Sequence, residues 1–340
     1  GAIDWYEGAH NGLVANSSFI DNYANRSGGA IYWNGENGTI ANSEFINNDA
    51  FGLVNETDRD YGGDGGAVIW TGSYGLIENS TFSFNDAARR GGAIYLQKAT
   101  NESECLNTTV KNCNFTNNTA GTNGGAIDWY EGAHNGLVAN STFTDNIAKN
   151  GNGGAIFWNG LNGTIEGSTF INNSALGLEE GGGSQARGGA AFVDGNYTTV
   201  IGSSFLFNYA GNNASAICFE NSYYGKVLSS NFTNNIAGFN AGAICFAQGS
   251  MYGEIHDSNF INNTASGNAG AVGFQGSNGN ITNTTFINNT ALGTRGDASG
   301  RGGATVVLGN NTTYFNCTFD NNVANRAGGA VFFNGENDSL

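Results

Sequence analysis

The chain has 340 residues, including 55 glycines and no proline, and carries a net charge of −16 although only 12% of its residues are charged. An acidic surface repels phosphate backbones, which argues against nucleic acid as a partner. No apolar run approaches the roughly 20 residues that a membrane span needs, so we expect no span in this segment. The apolar and aromatic contents, 39% and 12%, are too high for a disordered chain.

Two short motifs repeat along the whole chain. The first is Gly-Gly-Ala followed by an apolar residue, or a close variant, and it recurs at intervals of 26 to 37 residues. The second, Phe-x-x-Asn-x-Ala, occurs eleven times, once between successive copies of the first. Repeats of this length indicate a solenoid, in which each repeat stacks on the next. The alanines of the first motif are Ala2, Ala30, Ala67, Ala93, Ala126, Ala155, Ala190, Ala216, Ala243, Ala271, Ala304 and Ala330.

Within each repeat the apolar residues alternate with a period of two, which predicts strands. The first and third residues after the repeat alanine are mostly apolar, as in Ile31 and Trp33, whereas the second varies and is expected to point outward. Several short strands in units as short as 26 residues predict an all-β parallel β-helix of about 11–12 coils. The absence of proline agrees with this, because every coil must donate backbone N–H groups to its neighbour.

Each conserved position of the repeat has an expected place in a coil. The asparagine of the second motif, as in Asn22 and Asn48, is predicted to form a ladder of amides at a corner, because asparagine tolerates the left-handed backbone and its amides bond along a stack. The paired glycines, as in Gly28-Gly29, supply another tight corner. The tryptophans are predicted to fill the interior rather than to bind sugars: Trp5, Trp33, Trp70, Trp129 and Trp158.

The coils also group in fours. Residues 1–17 recur unchanged at 125–141, and a different insertion occupies the fourth coil near 98–109. We expect one continuous β-helix over 1–340 whose longer insertions leave from one edge. These insertions follow the second, sixth and tenth coils, near 51–64, 176–187 and 292–301. The predicted four-coil modules are approximately 1–124, 125–241 and 242–340.

The motif pair resembles two groups of surface proteins. Gly-Gly-Ala-Ile alternating with Phe-x-x-Asn resembles the repeats of chlamydial polymorphic outer-membrane proteins, and the Asn- and Thr-rich style of FINNTA at 260–265 resembles adhesin-like surface proteins of methanogenic archaea. The resemblance covers the entire chain. It implies a right-handed parallel β-helix, an extracellular location at the cell surface and a role in attachment, and it brings no catalytic motif.

These features predict an extracellular, glycosylated repeat rod of a cell-surface adhesin-like protein, displaying loops for attachment to other cell surfaces or glycans. The alternative is a structural filament or cell-envelope subunit in which copies of the chain associate end to end. That alternative arises because Gly1 opens directly into a coil and Leu340 ends inside the twelfth, so both ends would leave strand edges unpaired. A carbohydrate-active β-helix enzyme is the third hypothesis.

The acidic residues and histidines do not form a clear catalytic set. Asp4, Glu7 and His10 recur four coils later as Asp128, Glu131 and His134, and duplication of this kind is more typical of modular binding or of structure. We therefore expect no enzyme and no cofactor other than calcium. In the first long insertion, Asp58, Asp60 and Asp64 stand close together among glycines, which suits Ca²⁺. A solvated acidic loop is the other interpretation of these three residues.

Cysteines and sequons agree with an extracellular location. Cys218 and Cys245 hold the same position on adjacent coils, within disulfide reach, and a disulfide from Cys105 to Cys113 could pin the fourth-coil insertion. The alternative is that the cysteines are small semi-buried fillers. The candidate glycosylation sites, all in Asn-x-Ser/Thr sequons, are Asn25, Asn37, Asn55, Asn107, Asn196 and Asn337.

Apolar residues recur at the outward position after the repeat alanine. Tyr32, Ile69 and Tyr95 form one such stripe, and Phe157 and Phe192 form another. Exposed apolar ladders can mark interaction sites. The stripes therefore predict either a surface for lateral packing and adhesion or a face that a loop covers.

Overall fold

The computed structural model describes residues 1–6, 8–52, 62–99, 103–177, 186–294 and 299–340. Within these ranges the chain consists of short parallel strands joined by turns. No helix in the described part is long and apolar enough to cross a membrane. The predicted all-β, right-handed parallel β-helix is confirmed, and most coils contribute four short strands.

The strands form four sheets that run along the rod, and one coil contributes in turn to each sheet. Sheet 1 consists of Ile3–Trp5, Ile31–Trp33, Val68–Trp70, Ile94–Leu96, Ile127–Trp129, Ile156–Trp158, Ala191–Val193, Ile217–Phe219, Ile244–Phe246, Val272–Phe274, Thr305–Val307 and Val331–Phe333. Sheet 2 consists of Leu13–Ala15, Thr39–Ala41, Leu76–Glu78, Thr109–Lys111, Leu137–Ala139, Thr164–Glu166, Thr199–Ile201, Lys226–Leu228, Glu254–His256, Asn280–Thr282 and Thr313–Phe315.

The other two sheets follow in the same order along each coil. Sheet 3 consists of Ser18–Ile20, Glu44–Ile46, Thr81–Ser83, Asn114–Thr116, Thr142–Thr144, Thr169–Ile171, Ser204–Leu206, Asn231–Thr233, Asn259–Ile261, Thr285–Ile287 and Thr318–Asp320. Sheet 4 consists of Tyr23–Ala24, Asp49–Ala50, Asp86–Ala87, Thr119–Ala120, Ile147–Ala148, Ser174–Ala175, Tyr209–Ala210, Ile236–Ala237, Thr264–Ala265, Thr290–Ala291 and Val323–Ala324. In the fourth-coil insertion, Cys105–Leu106 pairs with Ala133–His134.

Equivalent residues of successive coils are direct strand partners, so identical side chains stack inside the rod. Phe143 pairs with Phe170, which pairs with Phe205, and the rings are parallel with centroids 4.7 Å apart. The same stacking runs from Phe19 to Phe319. The side chains of this ladder are almost all buried. The period-two pattern thus predicted the inward face correctly.

The tryptophans form a second interior stack, as predicted. Trp33 and Trp70 are fully buried and stack with centroids 4.6 Å apart. The corner glycine that follows each ring is required by this packing, because a Cβ atom on Gly38 would lie 2.3 Å from the Trp33 ring. The indole N–H of Trp33 donates to the carbonyl oxygen of Gly35 at 2.9 Å, so the buried polar atom is satisfied.

The predicted asparagine ladder is confirmed, but its backbone reason was wrong. The Asn48 amide nitrogen donates to Asn85 Oδ1 at 2.9 Å, and this link repeats from Asn22 to Asn322. Each amide in the middle of the ladder also donates to a phenylalanine carbonyl, as Asn48 does to Phe19. The left-handed backbone belongs to the residue before the ladder, as in Asn47 with φ of 52°. The ladder asparagines are therefore selected for their amides and not for their backbone conformation.

Candidate functional site

The three long insertions leave the rod at one corner, between sheet 4 and sheet 1. Their flanking strands end at Ala50, Ala175 and Ala291 and resume at Val68, Ala191 and Thr305. Equivalent flanks are in register with the coils above and below. The insertions therefore lie in one row, four coils apart, which is about 19 Å at the usual strand spacing.

Glycines bring the two ends of an insertion together at its base. Gly293 and Gly300 both have positive φ, and a Cβ on Gly293 would lie 2.9 Å from the Gly300 Cα. Gly52 approaches Gly62 in the same way, with a distance of 3.2 Å from a Cβ to the Gly62 carbonyl. Side chains larger than hydrogen would push these strands apart. The two ends of each of these insertions therefore lie close together where the insertion leaves its coil.

The apolar stripes on the outward side of sheet 1 are covered, so the hypothesis of an exposed interaction face was wrong. Ile69, Tyr95, Phe157 and Phe192 are all buried, and only Tyr32 is partly open. Alanines from the turns before three sheet 1 strands, Ala214, Ala241 and Ala269, pack on this face and form a second apolar cluster with it. Its buried members are Phe157, Phe192, Ala214, Cys218, Ala241, Cys245, Ala247, Ala269 and Val306.

A charged cluster lies beside this covered face, and the sequence analysis missed it. The Asp64 carboxylate accepts hydrogen bonds from the Nε atoms of Arg89 and Arg90, at 2.9 and 3.1 Å. The Arg90 guanidinium lies 4.6 Å from the centroid of the Tyr95 ring and 4.2 Å from that of the Tyr130 ring. Burial alone would lower the pKa of Arg90, but the Asp64 carboxylate raises it, so this arginine stays charged.

Asp128 lies under the same cluster, next to Tyr95 on the neighbouring strand. It is fully buried, and neither carboxylate oxygen has a hydrogen-bond partner among the residues that the structure describes. Burial raises the pKa of Asp128 well above its usual value, and the nearby Arg90 only partly opposes this shift. A buried carboxyl without partners is most stable in its protonated, neutral form.

The calcium prediction falls partly outside the described structure. Asp58 and Asp60 lie outside the described residues, and the carboxylate of Asp64 already accepts from two arginines. Among the residues described, no three of the His, Cys, Asp and Glu side chains form a group that could hold a metal ion. Calcium binding in this insertion stays a prediction. Asp64 could bind calcium only if its hydrogen bonds with Arg89 and Arg90 were broken.

The aspartate, glutamate and histidine of the duplicated set lie in different parts of the coil. Asp128 lies under the covered face of sheet 1, whereas Glu131 is exposed at the next corner. His134 Nδ1 accepts a hydrogen bond from the Leu161 backbone N–H at 3.0 Å, and His10 accepts in the same way from Glu36. These histidines therefore link successive coils. Glu7 lies outside the described residues.

The four cysteines proposed for disulfides are buried free thiols in the structure. Cys218 and Cys245 are direct strand partners, as predicted. The hydrogen bond to Cys245, together with burial, raises the pKa of Cys218. Their oxidation to a disulfide stays a prediction.

Cys105 and Cys113 contact separate pieces of backbone. The Cys105 thiol lies 3.3 Å from the Gly72 carbonyl oxygen, and the Cys113 thiol lies 3.2 Å from that of Lys111. Burial raises the pKa of each thiol to about 12, so neither forms the reactive thiolate readily. A disulfide between them would require both thiols to leave these contacts.

Most of the candidate glycosylation sites are open to solvent. Asn196 is half-buried, and its Oδ1 accepts a hydrogen bond from the Tyr223 backbone N–H at 2.8 Å. Asn55 lies outside the described residues. Occupancy of these sites stays a prediction. The exposed candidates are Asn25, Asn37, Asn107 and Asn337.

Two family models match parts of the chain. One, described as a right handed beta helix region, matches residues 65–187, and the Chlamydia polymorphic membrane protein repeat matches residues 16–32 and 316–334. No curated protein matches the chain. The matches support the resemblance to chlamydial repeats, whereas the resemblance to archaeal surface proteins stays a prediction. The chain is thus a right-handed parallel β-helix repeat protein.

Two solved structures are similar to the chain at low sequence identity. The Streptococcus pneumoniae surface protein and adhesin PfbA is similar with a TM-score of 0.45 and 11% identity, over 96% of this chain and 89% of that one. A mannuronic acid specific polysaccharide family 6 lyase from human gut microbiota has a TM-score of 0.40 and 12% identity, over 90% and 77% of the two chains.

Proposed function

We propose that the chain is the repeat rod of an extracellular cell-surface protein, and that its insertions attach it to other cells or to surfaces. One observation carries the proposal: the three long insertions leave the rod at the same corner, four coils apart. Coils without an insertion cross this corner in a few residues, as between Ala148 and Ile156. The insertions are therefore not needed to close a coil, and loops of this kind commonly form a binding face.

The rod itself is built for stiffness rather than for chemistry. The phenylalanine and asparagine ladders run from the first coil to the eleventh, which holds the insertions at fixed spacing. The match to a chlamydial membrane protein repeat and the many sequons support a location outside the cell. We propose that the chain has no catalytic activity. The histidines of the duplicated set accept hydrogen bonds from the backbone, and Asp128 is buried away from solvent.

The proposal predicts that the insertions can be removed without unfolding the rod. In the test variant, residues 51–63, 176–186 and 292–300 are each replaced by Lys-Asn-Gly, the sequence at 149–151 that crosses the same corner in the fifth coil. Asp64, Arg187 and Arg301 are kept, since they hold contacts at the base of the corner. We expect an unchanged circular dichroism spectrum and a melting temperature within a few degrees of the parent, with loss of binding to cells.

Binding is measured by flow cytometry with the fluorescently labelled chain on bacterial, archaeal and epithelial cells. Three variants that each lack one insertion are the matched controls and should keep part of the binding. Full binding by the folded variant that lacks all three insertions would show that the insertions do not attach the rod. A parent chain that binds none of these cells would contradict the proposal as well.

A further inference from the structure

A row of tyrosines interrupts an asparagine ladder at a second corner, between sheet 1 and sheet 2. One residue at this corner has a left-handed backbone in every coil that the structure describes there. In eight of these coils that residue is asparagine: Asn11, Asn37, Asn107, Asn135, Asn162, Asn278, Asn311 and Asn337. In four it is tyrosine: Tyr74, Tyr197, Tyr224 and Tyr252. The last three tyrosines belong to consecutive coils.

Tyrosine is an unfavourable residue at this position. The φ angles of Tyr197, Tyr224 and Tyr252 are 61°, 60° and 59°. Asparagine adopts this conformation at little cost, whereas a bulky side chain is strained there. Stability alone would favour asparagine, as in the neighbouring coils. Three strained tyrosines in succession therefore point to a use for their side chains.

The rings form an exposed stack along the rod axis. The centroids of Tyr197 and Tyr224 are 5.2 Å apart and those of Tyr224 and Tyr252 are 4.9 Å apart, with the rings within 9° of parallel. The three residues are 55%, 37% and 40% exposed. Stacked rings cover part of one another's faces, and the exposed fractions show that the ring edges and the remaining ring surface are open to solvent. Tyr223 and Met251 extend the apolar surface beside the stack.

Polar but mostly uncharged groups border this tyrosine strip, which we define as Tyr197, Tyr224 and Tyr252. Asn221 and Gln248 are exposed at the preceding positions of the same corner, and the Asn221 amide nitrogen donates to Asp194 Oδ1 at 3.3 Å. Lys226, which follows the corner, is paired with Glu254 at 3.0 Å. The net charge of −16 opposes binding of an anionic polymer. The expected ligand is therefore uncharged and carries both apolar faces and hydroxyl groups.

We propose that the tyrosine strip binds a neutral polysaccharide chain that lies along the rod. Sugar rings present apolar C–H faces bordered by hydroxyls, which match aromatic rings bordered by phenol and amide groups. The coils repeat every ~4.8 Å, so successive rings can contact successive sugars of an extended chain. This site goes beyond the proposed attachment through insertions, because it lies at a different corner of the coil and can be tested separately.

The test variant changes all three residues to asparagine: Tyr197→Asn, Tyr224→Asn and Tyr252→Asn. Because asparagine holds this position in other coils, the variant should fold and melt at the same temperature as the parent or higher. The matched control is Tyr74→Asn, since Tyr74 has the same backbone conformation and is 54% exposed but lies between Asn37 and Asn107. Protein produced without glycosylation keeps Asn196, beside the strip, unmodified.

Binding is measured by the retardation of the chain in native gels that contain hydroxyethylcellulose, mannan or dextran, with anionic alginate as the charged comparison. We expect at least one neutral polymer to retard the parent and Tyr74→Asn equally, and alginate to retard neither. The triple variant should run as in a gel without polymer. Equal retardation of the parent and the triple variant, or no retardation of the parent by any neutral polymer, would overturn the proposal. Attachment through the insertions would remain unaffected by that outcome.

Discussion

Phe170→Ala should destabilise the rod by about 3–5 kcal/mol, the usual cost of removing a fully buried phenylalanine. The ring is completely buried and stacks on Phe143 and Phe205, with centroids 4.7 Å away on each side. Its loss leaves a cavity in the middle of the ladder. The two neighbouring rings cannot close this gap, because backbone hydrogen bonds fix the spacing of the coils.

The measurement is thermal unfolding of the parent and the variant, with hydrogen exchange to locate the loss. Solenoid stability depends on contacts between nearest neighbours, so exchange should increase first in the strands beside Phe170. Phe315→Ala removes the same atoms from a residue that is 68% exposed, and it should change stability by no more than about 0.5 kcal/mol. A Phe170→Ala variant that melts with the parent would show that the ladder does not stabilise the rod.

Asp128→Asn should make the rod more stable at neutral pH and leave its stability unchanged in acid. Burial raises the pKa of Asp128 in the folded chain above its value in the unfolded chain, so the folded state holds a proton that the unfolded state releases. The stability from this protonated form is fully present below the unfolded-state pKa, near 3.9. It is lost as the pH rises towards the folded-state pKa, by roughly 1.4 kcal/mol per pH unit.

The experiment compares the melting temperatures of parent and variant from about pH 3.5 to about pH 8, on both sides of the unfolded-state pKa. The groups that face Asp128 are Tyr95, Arg90, Arg89 and Asp64, and they are the same in both proteins. Asp4→Asn is the control, because Asp4 lies in an identical seventeen-residue segment but is exposed. A difference between parent and Asp128→Asn that does not change with pH would contradict a protonated Asp128.

The interior of the rod could be predicted from the sequence because residues at the same position of successive repeats pack against each other. Phe170 and Asn173 have equivalents at the same spacing in eleven coils, so their stacking follows once the coils are aligned. The same alignment predicted that Cys218 and Cys245 are strand partners and that the long insertions share a corner. The sequence did not show which of two adjacent asparagines has which role. Asn47 adopts the left-handed backbone, whereas Asn48 supplies the amide of the ladder.

The outer side of sheet 1 could not be predicted from local sequence. Asp128 occupies the position that the period-two pattern assigns to the outward face, yet it is buried between Tyr95 and Phe157 on the neighbouring strands. Burial there depends on the turn that folds over the strand and on arginines from other coils. A period of two distinguishes the two faces of a strand but does not show whether the second face is covered.

The tyrosine strip did leave a signal in the sequence. Most coils carry asparagine at the corner before the sheet 2 strand, as at Asn37, whereas Tyr224 and Tyr252 replace it with tyrosine. The substitution has meaning only once the position is known to be left-handed. The period-two pattern carries no information about backbone conformation at a corner.

The location of the rod outside the cell is the claim on which the proposed function depends, and antibody labelling of intact source cells tests it most directly. Antibodies raised against the purified chain are applied to intact cells and to permeabilised cells, with a cytoplasmic protein as the control for leakage. We predict equal labelling of intact and permeabilised cells by the antibody against the chain. Labelling that appears only after permeabilisation, together with that of the cytoplasmic control, would contradict the account.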